Sequence, residues 1–296
     1  MNFLALAFYE KVAIDLHVST LTAGANLAGL IGAVCSEFLD RKAFHAIQLS
    51  NNSAKSSFRS FFKMANGWHA EIESTSRKHL HQTTIYLDTH RPIDPAVSNQ
   101  FPDFCKRSNV FLWLDTSTLS KQIIEFAGSI PIVSSLIIAT IVTETIEKIM
   151  EKMVEKKTLT CLDFRTEHRL SAATTEALLD LLKQEQFNEV FLWNNCDLPL
   201  ESVIAEWREH SDEMAGKVIK VMESTVITNP IGDFGFEQCT EEEVDYMYRY
   251  HSQRPWTRAQ RVFILRHENG RSMYVLRSFV LQSDDGWFYR NAILFS

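Results

Sequence analysis

Short apolar runs recur along the middle of the chain at intervals of 24 to 30 residues, and this spacing constrains the fold more than any other feature. Their central residues are Leu87, Leu114, Ile138, Leu162, Leu192 and Val221. Each interval contains a stretch in which apolar residues have helical spacing. Because short apolar runs between turn signals are typical of buried strands, the pattern predicts strands that alternate with helices.

The segment 159–194 is the clearest of these units. It reads as a strand (159–164), a helix (171–186) and a second strand (189–194). Ser171 stands where the helix should begin and is a favourable N-cap residue. Further along the chain, Pro199 predicts the first turn of the next helix, and Gly216 predicts its end.

Two α/β architectures agree with such units. A unit of this length cannot bury its strand and its helix alone, whereas stacked units can, so we expect leucine-rich-repeat-like strand–helix repeats with a parallel sheet. An open doubly wound sheet is the alternative. The repeat is favoured because several strands end in Asp or Asn and none is followed by a glycine-rich turn. The repeats do not meet the full leucine-rich consensus.

The regions on either side of the repeats differ from them, and they predict three domains. We expect a helical cap over residues 1–50, a degenerate α/β repeat domain over 51–230 and a small C-terminal α+β module over 231–296. In the cap, Phe8, Val12 and Leu16 fall at four-residue spacing. In the module, Thr240 and Glu243 form a capping-box pattern. Two later turn signals, Asn269-Gly270 and Asp285-Gly286, predict a three-stranded antiparallel meander.

Composition narrows the class of partner and the compartment. The net charge of −7 gives no general attraction to nucleic acid or to anionic membranes. The apolar stretch 130–142 is too short to cross a bilayer, and the N-terminus lacks the basic start of a secretory signal. The five cysteines are far apart, which indicates reduced thiols and a cytoplasmic or nuclear protein.

Motifs for catalysis are missing from the sequence. It contains no P-loop, no G-x-S-x-G and no H-E-x-x-H pattern. Asp233-Phe234-Gly235 matches the magnesium triplet of protein kinases, but no H-R-D or glycine-rich loop accompanies it. We therefore predict no catalytic residue, no cofactor and no metal. An α/β enzyme with an unfamiliar site at the carboxyl ends of its strands is the alternative.

Aromatic and charged residues near the strand ends predict a protein-binding surface instead. If alternate strand residues face one side of the repeats, six side chains lie near one surface, and Trp, Tyr and Arg are typical of binding hot spots. These residues are Tyr86, Trp113, Asp163, Arg165, Trp193 and Asn195. The competing interpretation is that the tryptophans fill the core.

Three short blocks carry a family resemblance. Residues 181–187, 213–217 and 234–239 resemble those of a large, uncharacterised nematode protein family, similar in layout to F-box and F-box-associated proteins. The resemblance implies a non-enzymatic adaptor of a SKP1-type ubiquitin ligase. In such an adaptor Phe8, Val12 and Leu16 would bind a SKP1-like protein, and the repeats would bind a target. The sequence departs from that pattern because an F-box usually opens with Leu-Pro, and the first proline here is Pro92. The alternative is that the three apolar residues belong to the core of the cap.

Overall fold

A computed structural model describes residues 24–41, 43–50, 57–64, 67–69, 80–88, 109–166, 170–193, 198–222, 234–251, 261–283 and 286–296. The chain divides into two compact units. The first comprises residues 1–113 and 118–133, and the second comprises 114–117 and 134–296.

The described part of the first unit combines two helices with five strands. The helices are α1 (Leu30–Arg41) and α2 (Lys121–Ser129). The strands are β1 (Ala43–Ser50), β2 (Ser57–Met64), β3 (Gly67–His69), β4 (Leu80–Asp88) and β5 (Asn109–Leu114). They lie in the order β3-β2-β1-β4-β5, in which β1 is antiparallel to β2 and parallel to β4. The predicted strands around Leu87 and Leu114 are thus present as β4 and β5.

Strand β1 corrects the prediction of a helical cap over residues 1–50 at its end. Residues 30–41 form a helix, but 43–50 are paired with a strand on each side. The end of β1 also has a two-residue period, since Ile47 and Leu49 alternate with Gln48 and Ser50. Such a short run fits either structure, and pairing on both sides decides for the strand. Residues 1–23, with Phe8, Val12 and Leu16, lie outside the described part of the chain.

The described part of the second unit contains four parallel strands joined by helices. The strands are β6 (Ser135–Ile138), β7 (Cys161–Phe164), β8 (Glu189–Leu192) and β9 (Val218–Met222). Between them lie α3 (Glu144–Lys156), α4 (Ala172–Leu182) and α5 (Leu200–Met214). Each strand pairs with the next one in the chain. The predicted α/β class with parallel strands is therefore confirmed.

The helix boundaries follow the local sequence. The Ser171 side chain accepts a hydrogen bond from the Thr174 backbone N–H (3.0 Å) at the start of α4. Helix α5 begins after Pro199, and Gly216 follows its end with a φ of 81°, a left-handed conformation that glycine adopts without strain. The apolar stripe of α3 is buried, and it consists of Ile146, Ile149, Met150 and Met153.

One face of β6–β9 is apolar and fully covered. Its side chains belong to the core of the unit, and crossover helices cover such a strand face. They are Leu136, Ile138, Leu162, Phe164, Val190, Leu192, Ile219 and Val221. We call this set the apolar strand face.

An antiparallel sheet continues the parallel strands. It contains β10 (Glu237–Gln238), β11 (Arg261–Arg266), β12 (Ser272–Ser283) and β13 (Gly286–Phe295), and β13 pairs with β9. Helix α6 (Glu241–His251) starts with the predicted capping box, because Thr240 Oγ1 accepts from the Glu243 N–H and Glu243 Oε2 accepts from the Thr240 N–H. Met247 of this helix packs against buried residues of β11–β13. The meander that the turn signals predicted is present.

Among the helices that the structure describes, none is long and apolar enough to span a bilayer. The apolar stretch 130–142 contains the short strand β6.

Candidate protein-binding surface

The opposite side of β7–β9 carries charged and aromatic side chains. Strand pairing aligns Cys161 with Glu189, and it aligns Asp163, Phe191 and Lys220 across three strands. Because successive strand residues alternate between faces, these five side chains share one side of the sheet.

Two further residues extend this side beyond the strand ends. Arg165 donates its backbone N–H to the Ile138 carbonyl (2.8 Å), and Trp193 donates its N–H to the Phe164 carbonyl (2.8 Å). These bonds continue the pairing pattern by one residue and hold both positions in register. We call the set Cys161, Asp163, Arg165, Glu189, Phe191, Trp193 and Lys220 the polar strand face.

Asp163, Arg165 and Trp193 form a connected cluster at the carboxyl ends of β7 and β8. Arg165 Nε donates to Asp163 Oδ2 at 2.9 Å, and its guanidinium carbon lies 5.1 Å from the centre of the Trp193 ring. The Asp163 side chain is 9% exposed and that of Arg165 is 36% exposed. A guanidinium over an indole contributes about 0.5–2 kcal/mol, depending on its exposure. The cluster therefore presents a half-exposed arginine that its neighbours already orient.

Lys220, Glu189 and Phe191 form a second cluster on this face. Lys220 Nζ pairs with Glu189 Oε2 and lies 4.4 Å from the centre of the Phe191 ring. The Lys220 side chain is only 4% exposed, whereas that of Glu189 is 22% exposed. A buried ammonium needs a carboxylate partner and satisfied donors, and this pair supplies the carboxylate. Each cluster therefore pairs a buried charged side chain with an oppositely charged partner.

Cys161 lies on the same face as these groups, next to Glu189, and its thiol has low reactivity. Burial and, next, the charge of Glu189 raise the pKa of Cys161 to about 12. The thiolate is the nucleophile of cysteine chemistry, so Cys161 is protonated and unreactive at neutral pH. Burial likewise raises the pKa of Cys239 to about 11, and Cys35 is a buried free thiol.

Tyr86 and Trp113 meet each other in the first unit. Their ring centres are 5.3 Å apart with an angle of 38° between the planes, a geometry that stabilises aromatic pairs. Both side chains are half-buried. Of the six predicted surface residues, two form this pair. Asp163, Arg165 and Trp193 form the cluster in the second unit, and Asn195 lies outside the described residues.

Sequence reasoning missed Glu189, Phe191 and Lys220 as members of the surface. A signal for them exists, because residues at even spacing along a strand share a face. Glu189 and Phe191 lie four and two residues before the predicted Trp193, and Lys220 is the strand partner of Phe191. Lys220 is moreover a single charge inside an apolar run. Using these signals requires the strand register, which the sequence does not give.

A groove of about 560 Å³ lies between α4 and α5, and three of its charged side chains pair with one another. Lys183 Nζ is 2.7 Å from Glu206 Oε1 and 2.9 Å from Asp180 Oδ1. The hydrogen bond to Glu206 is the largest cause that raises the pKa of Lys183 above its ordinary value. The described residues contain no group of three or more His, Cys, Asp or Glu that could hold a metal ion.

No protein-family model, curated protein or solved structure matches this chain.

Proposed function

We propose that the protein is a non-enzymatic binding protein whose polar strand face in the second unit recognises a protein target. The observation that carries this proposal is the contrast between two sides of the same strands. One side is fully buried and apolar, and the other holds a half-exposed arginine on a half-buried tryptophan. Arginine and tryptophan are enriched in binding hot spots, and a fixed guanidinium loses little entropy when it binds a partner.

The order and packing of the strand–helix units support a finer proposal. Helices α3, α4 and α5 are neighbours in chain order, as are the strands they join. Glu147 of α3 accepts a hydrogen bond from Thr174 Oγ1 of α4 (3.1 Å), and Lys183 at the end of α4 pairs with Glu206 of α5. Stacked units of this kind, with helices together on one side, are what leucine-rich-repeat-like proteins use to expose a strand surface. We propose that arrangement for residues 134–222.

The family resemblance supplies the partner class. In this proposal the protein is a substrate adaptor: Phe8, Val12 and Leu16 bind a SKP1-like protein of a ubiquitin ligase, and the polar strand face binds the target. Two separate surfaces would thus serve two partners, and the experiments below treat them separately.

Pulldown of the full chain with a purified SKP1-like protein tests the first surface. We expect capture by the wild type and its loss in a variant with Phe8, Val12 and Leu16 changed to Asp, provided that circular dichroism shows both are folded. Absence of capture by the wild type would remove the ubiquitin-ligase role and leave the binding role of the strand face untouched.

Affinity purification with mass spectrometry tests the second surface. We expect the wild type to capture a target protein, and we expect Arg165→Ala and Trp193→Ala each to lower the affinity for this target at least tenfold. A tenfold loss corresponds to about 1.4 kcal/mol, which is typical of a hot-spot residue. Glu176→Ala is the matched control, because Glu176 is an exposed residue of α4 on the helix side. Equal binding by all four proteins would show that the polar strand face is not the recognition surface.

A further inference from the structure

The groove between α4 and α5 combines apolar surface with charged side chains. Its volume of about 560 Å³ is in the range of ligand-binding sites. Leu170, Leu179 and Pro199 contribute apolar lining, and Asp180 and Glu206 contribute carboxylates from the two helices. Every lining residue in the described part of the chain belongs to α4, to α5 or to the residues next to them. The groove is therefore a surface separate from the polar strand face.

The charges of α3 are nearly balanced, whereas those of α4 and α5 are not. Helix α3 contains four acidic and three basic residues, and Lys148 pairs with Glu144 one turn away at 2.6 Å. This pattern is typical of a solvent-exposed helix. Helices α4 and α5 together contain seven acidic residues and one arginine. They therefore hold six of the seven net negative charges of the whole chain.

Such a concentration of negative charge restricts the class of partner that fits the groove. Like charges repel one another, so the acidic residues of the two helices lower the stability of the folded chain. Basic side chains of a partner would remove this repulsion, whereas nucleic acid and anionic membranes would add to it. The charge of the two helices that form the groove therefore favours a basic partner.

Lys183 shows how the groove holds a cation. Its Nζ lies 2.7 Å from Glu206 Oε1 of α5 and 2.9 Å from Asp180 Oδ1 of α4. The side chains of Lys183 and Glu206 are each 24% exposed, whereas that of Asp180 is 50% exposed. Carboxylates of both helices thus converge on one ammonium group, and the outer carboxylate is accessible to a second cation from solvent.

Charge alone gives little affinity at an exposed site, so the apolar lining is needed as well. Exposed ion pairs contribute about 0–1 kcal/mol each, whereas burial of one leucine-sized side chain contributes about 1.5–3 kcal/mol. Leu179 and Pro199 are half-buried and are thus accessible to an apolar side chain of a partner. Amphipathic helices bind grooves through apolar residues at helical spacing, with their charged residues at the edges.

We propose that the groove binds a basic amphipathic helix of a partner protein. Apolar residues of that helix contact Leu179 and Pro199, and its arginine or lysine side chains pair with the two groove carboxylates. Lys183 competes with these cations for the same carboxylates. The proposal does not rest on the polar strand face, so either surface can fail its test without the other.

Fluorescence anisotropy with a synthetic peptide and the full chain tests this proposal. The peptide is a fluorescein-labelled helix of about 18 residues, or five turns, with leucines along one face and arginines on both sides of them. We expect a Kd of about 1–10 μM at about 50 mM salt, rising at least threefold at about 300 mM because salt screens the charges. Peptides with glutamate for arginine, or with serine for leucine, should each bind about tenfold more weakly. No binding of the arginine peptide, or equal binding of all three, would overturn the proposal.

Two variants with opposite expected effects locate the binding site. Glu206→Gln removes a groove carboxylate and should weaken binding of the arginine peptide about fivefold, the size of one partly exposed ion pair. Lys183→Met removes the competing cation and should strengthen binding by about the same factor. Weaker binding by Lys183→Met would contradict the competition and refute the site.

Glu151→Gln is the matched control for net charge. It removes the same charge from an exposed residue of α3 that does not line the groove, and it should change the affinity less than about twofold. Equal losses in Glu206→Gln and Glu151→Gln would show attraction to net charge alone and would exclude the groove. If circular dichroism shows that Glu206→Gln does not fold, Asp180→Asn takes its place, because its side chain is 50% exposed.

Discussion

The two faces of β7–β9 belong to the same backbone but differ in burial and in the chemistry of their side chains. On the apolar strand face, Leu162, Phe164, Val190 and Leu192 are completely buried. On the polar strand face, charged and aromatic residues pair with one another, and the Arg165 side chain stays 36% exposed whereas Asp163 and Lys220 are buried. The comparison teaches that one face of these strands is built from apolar packing and the other from paired charges and aromatic rings, which our proposal assigns to contact with a partner. Substitutions of different size separate these two roles.

A matched pair of phenylalanine truncations should show the largest difference. Phe164→Ala leaves a cavity in the core and should lower the free energy of unfolding by about 3–5 kcal/mol. Phe191→Ala removes a half-buried ring on the other face and should cost about 1–2 kcal/mol. Urea denaturation measures both. Equal losses would mean that the polar strand face is as much a part of the core as the apolar one.

Removal of the Lys220 charge should have the next largest effect. Lys220→Met leaves Glu189 without its cation at a position that is 22% exposed, so we expect a loss of about 1–3 kcal/mol. The double variant Lys220→Met with Glu189→Gln should recover more than half of this loss, because the uncompensated carboxylate is then gone. Chemical denaturation of the single and double variants completes the cycle, and additive losses would argue against direct coupling.

Lys217 allows a further test where β9 begins, next to the residues that follow α4. Its Nζ donates to the carbonyls of Gln184 (2.9 Å) and Glu185 (3.0 Å), so Lys217→Met should cost about 1–2 kcal/mol. Burial lowers the pKa of Lys217 below its ordinary value, and the charge of Glu185 offsets part of this.

The pH dependence of that variant has a definite sign. Because the pKa of Lys217 is lower in the folded state than in the unfolded state, the folded state binds fewer protons. The contribution of Lys217 to stability therefore increases as the pH rises through the lowered folded pKa towards the unfolded value of about 10.4, and it decreases as the pH falls. The advantage of wild type over Lys217→Met should therefore grow in alkali, as measured by unfolding at a series of pH values. A constant difference would show that Lys217 has the same proton affinity in both states.

Arg165 should show the smallest effect on stability. Solvent screens the pair on the side of the exposed Arg165, but Arg165→Ala leaves the buried Asp163 without this cation, so we expect a loss in the free energy of unfolding of about 1 kcal/mol. The same variant should lose the target in the binding experiment above. Arg165→Lys is the sharper control, because lysine keeps the charge but lacks the planar group that lies over Trp193. A large loss of stability in either variant would reassign Arg165 to the core.

Local sequence patterns predict most of the helices and strands, but they do not predict which side chains meet on the polar strand face. Ser171, Gly216 and the Thr240–Glu243 pair mark helix ends because their side chains or dihedral angles act within a few residues. The helical prediction for residues 43–50 is wrong because this strand depends on pairing with β2 and β4, which its own residues do not indicate. Arg165 and Trp193 were identified as near the surface, but their contact with each other depends on the pairing of β7 with β8.

By itself, the sequence determined the alternation of strands and helices, the helix caps and the hairpin turn, since each follows from apolar periodicity and local backbone chemistry. Only the tertiary structure decided which side chains share a face. A shift of one residue in strand pairing moves every side chain to the opposite side, so register alone brings Lys220 to Glu189 and Phe191. The contact of the β11–β12 turn with α5 is likewise tertiary, because His267 and Arg208 are 59 positions apart in the chain and meet only after folding.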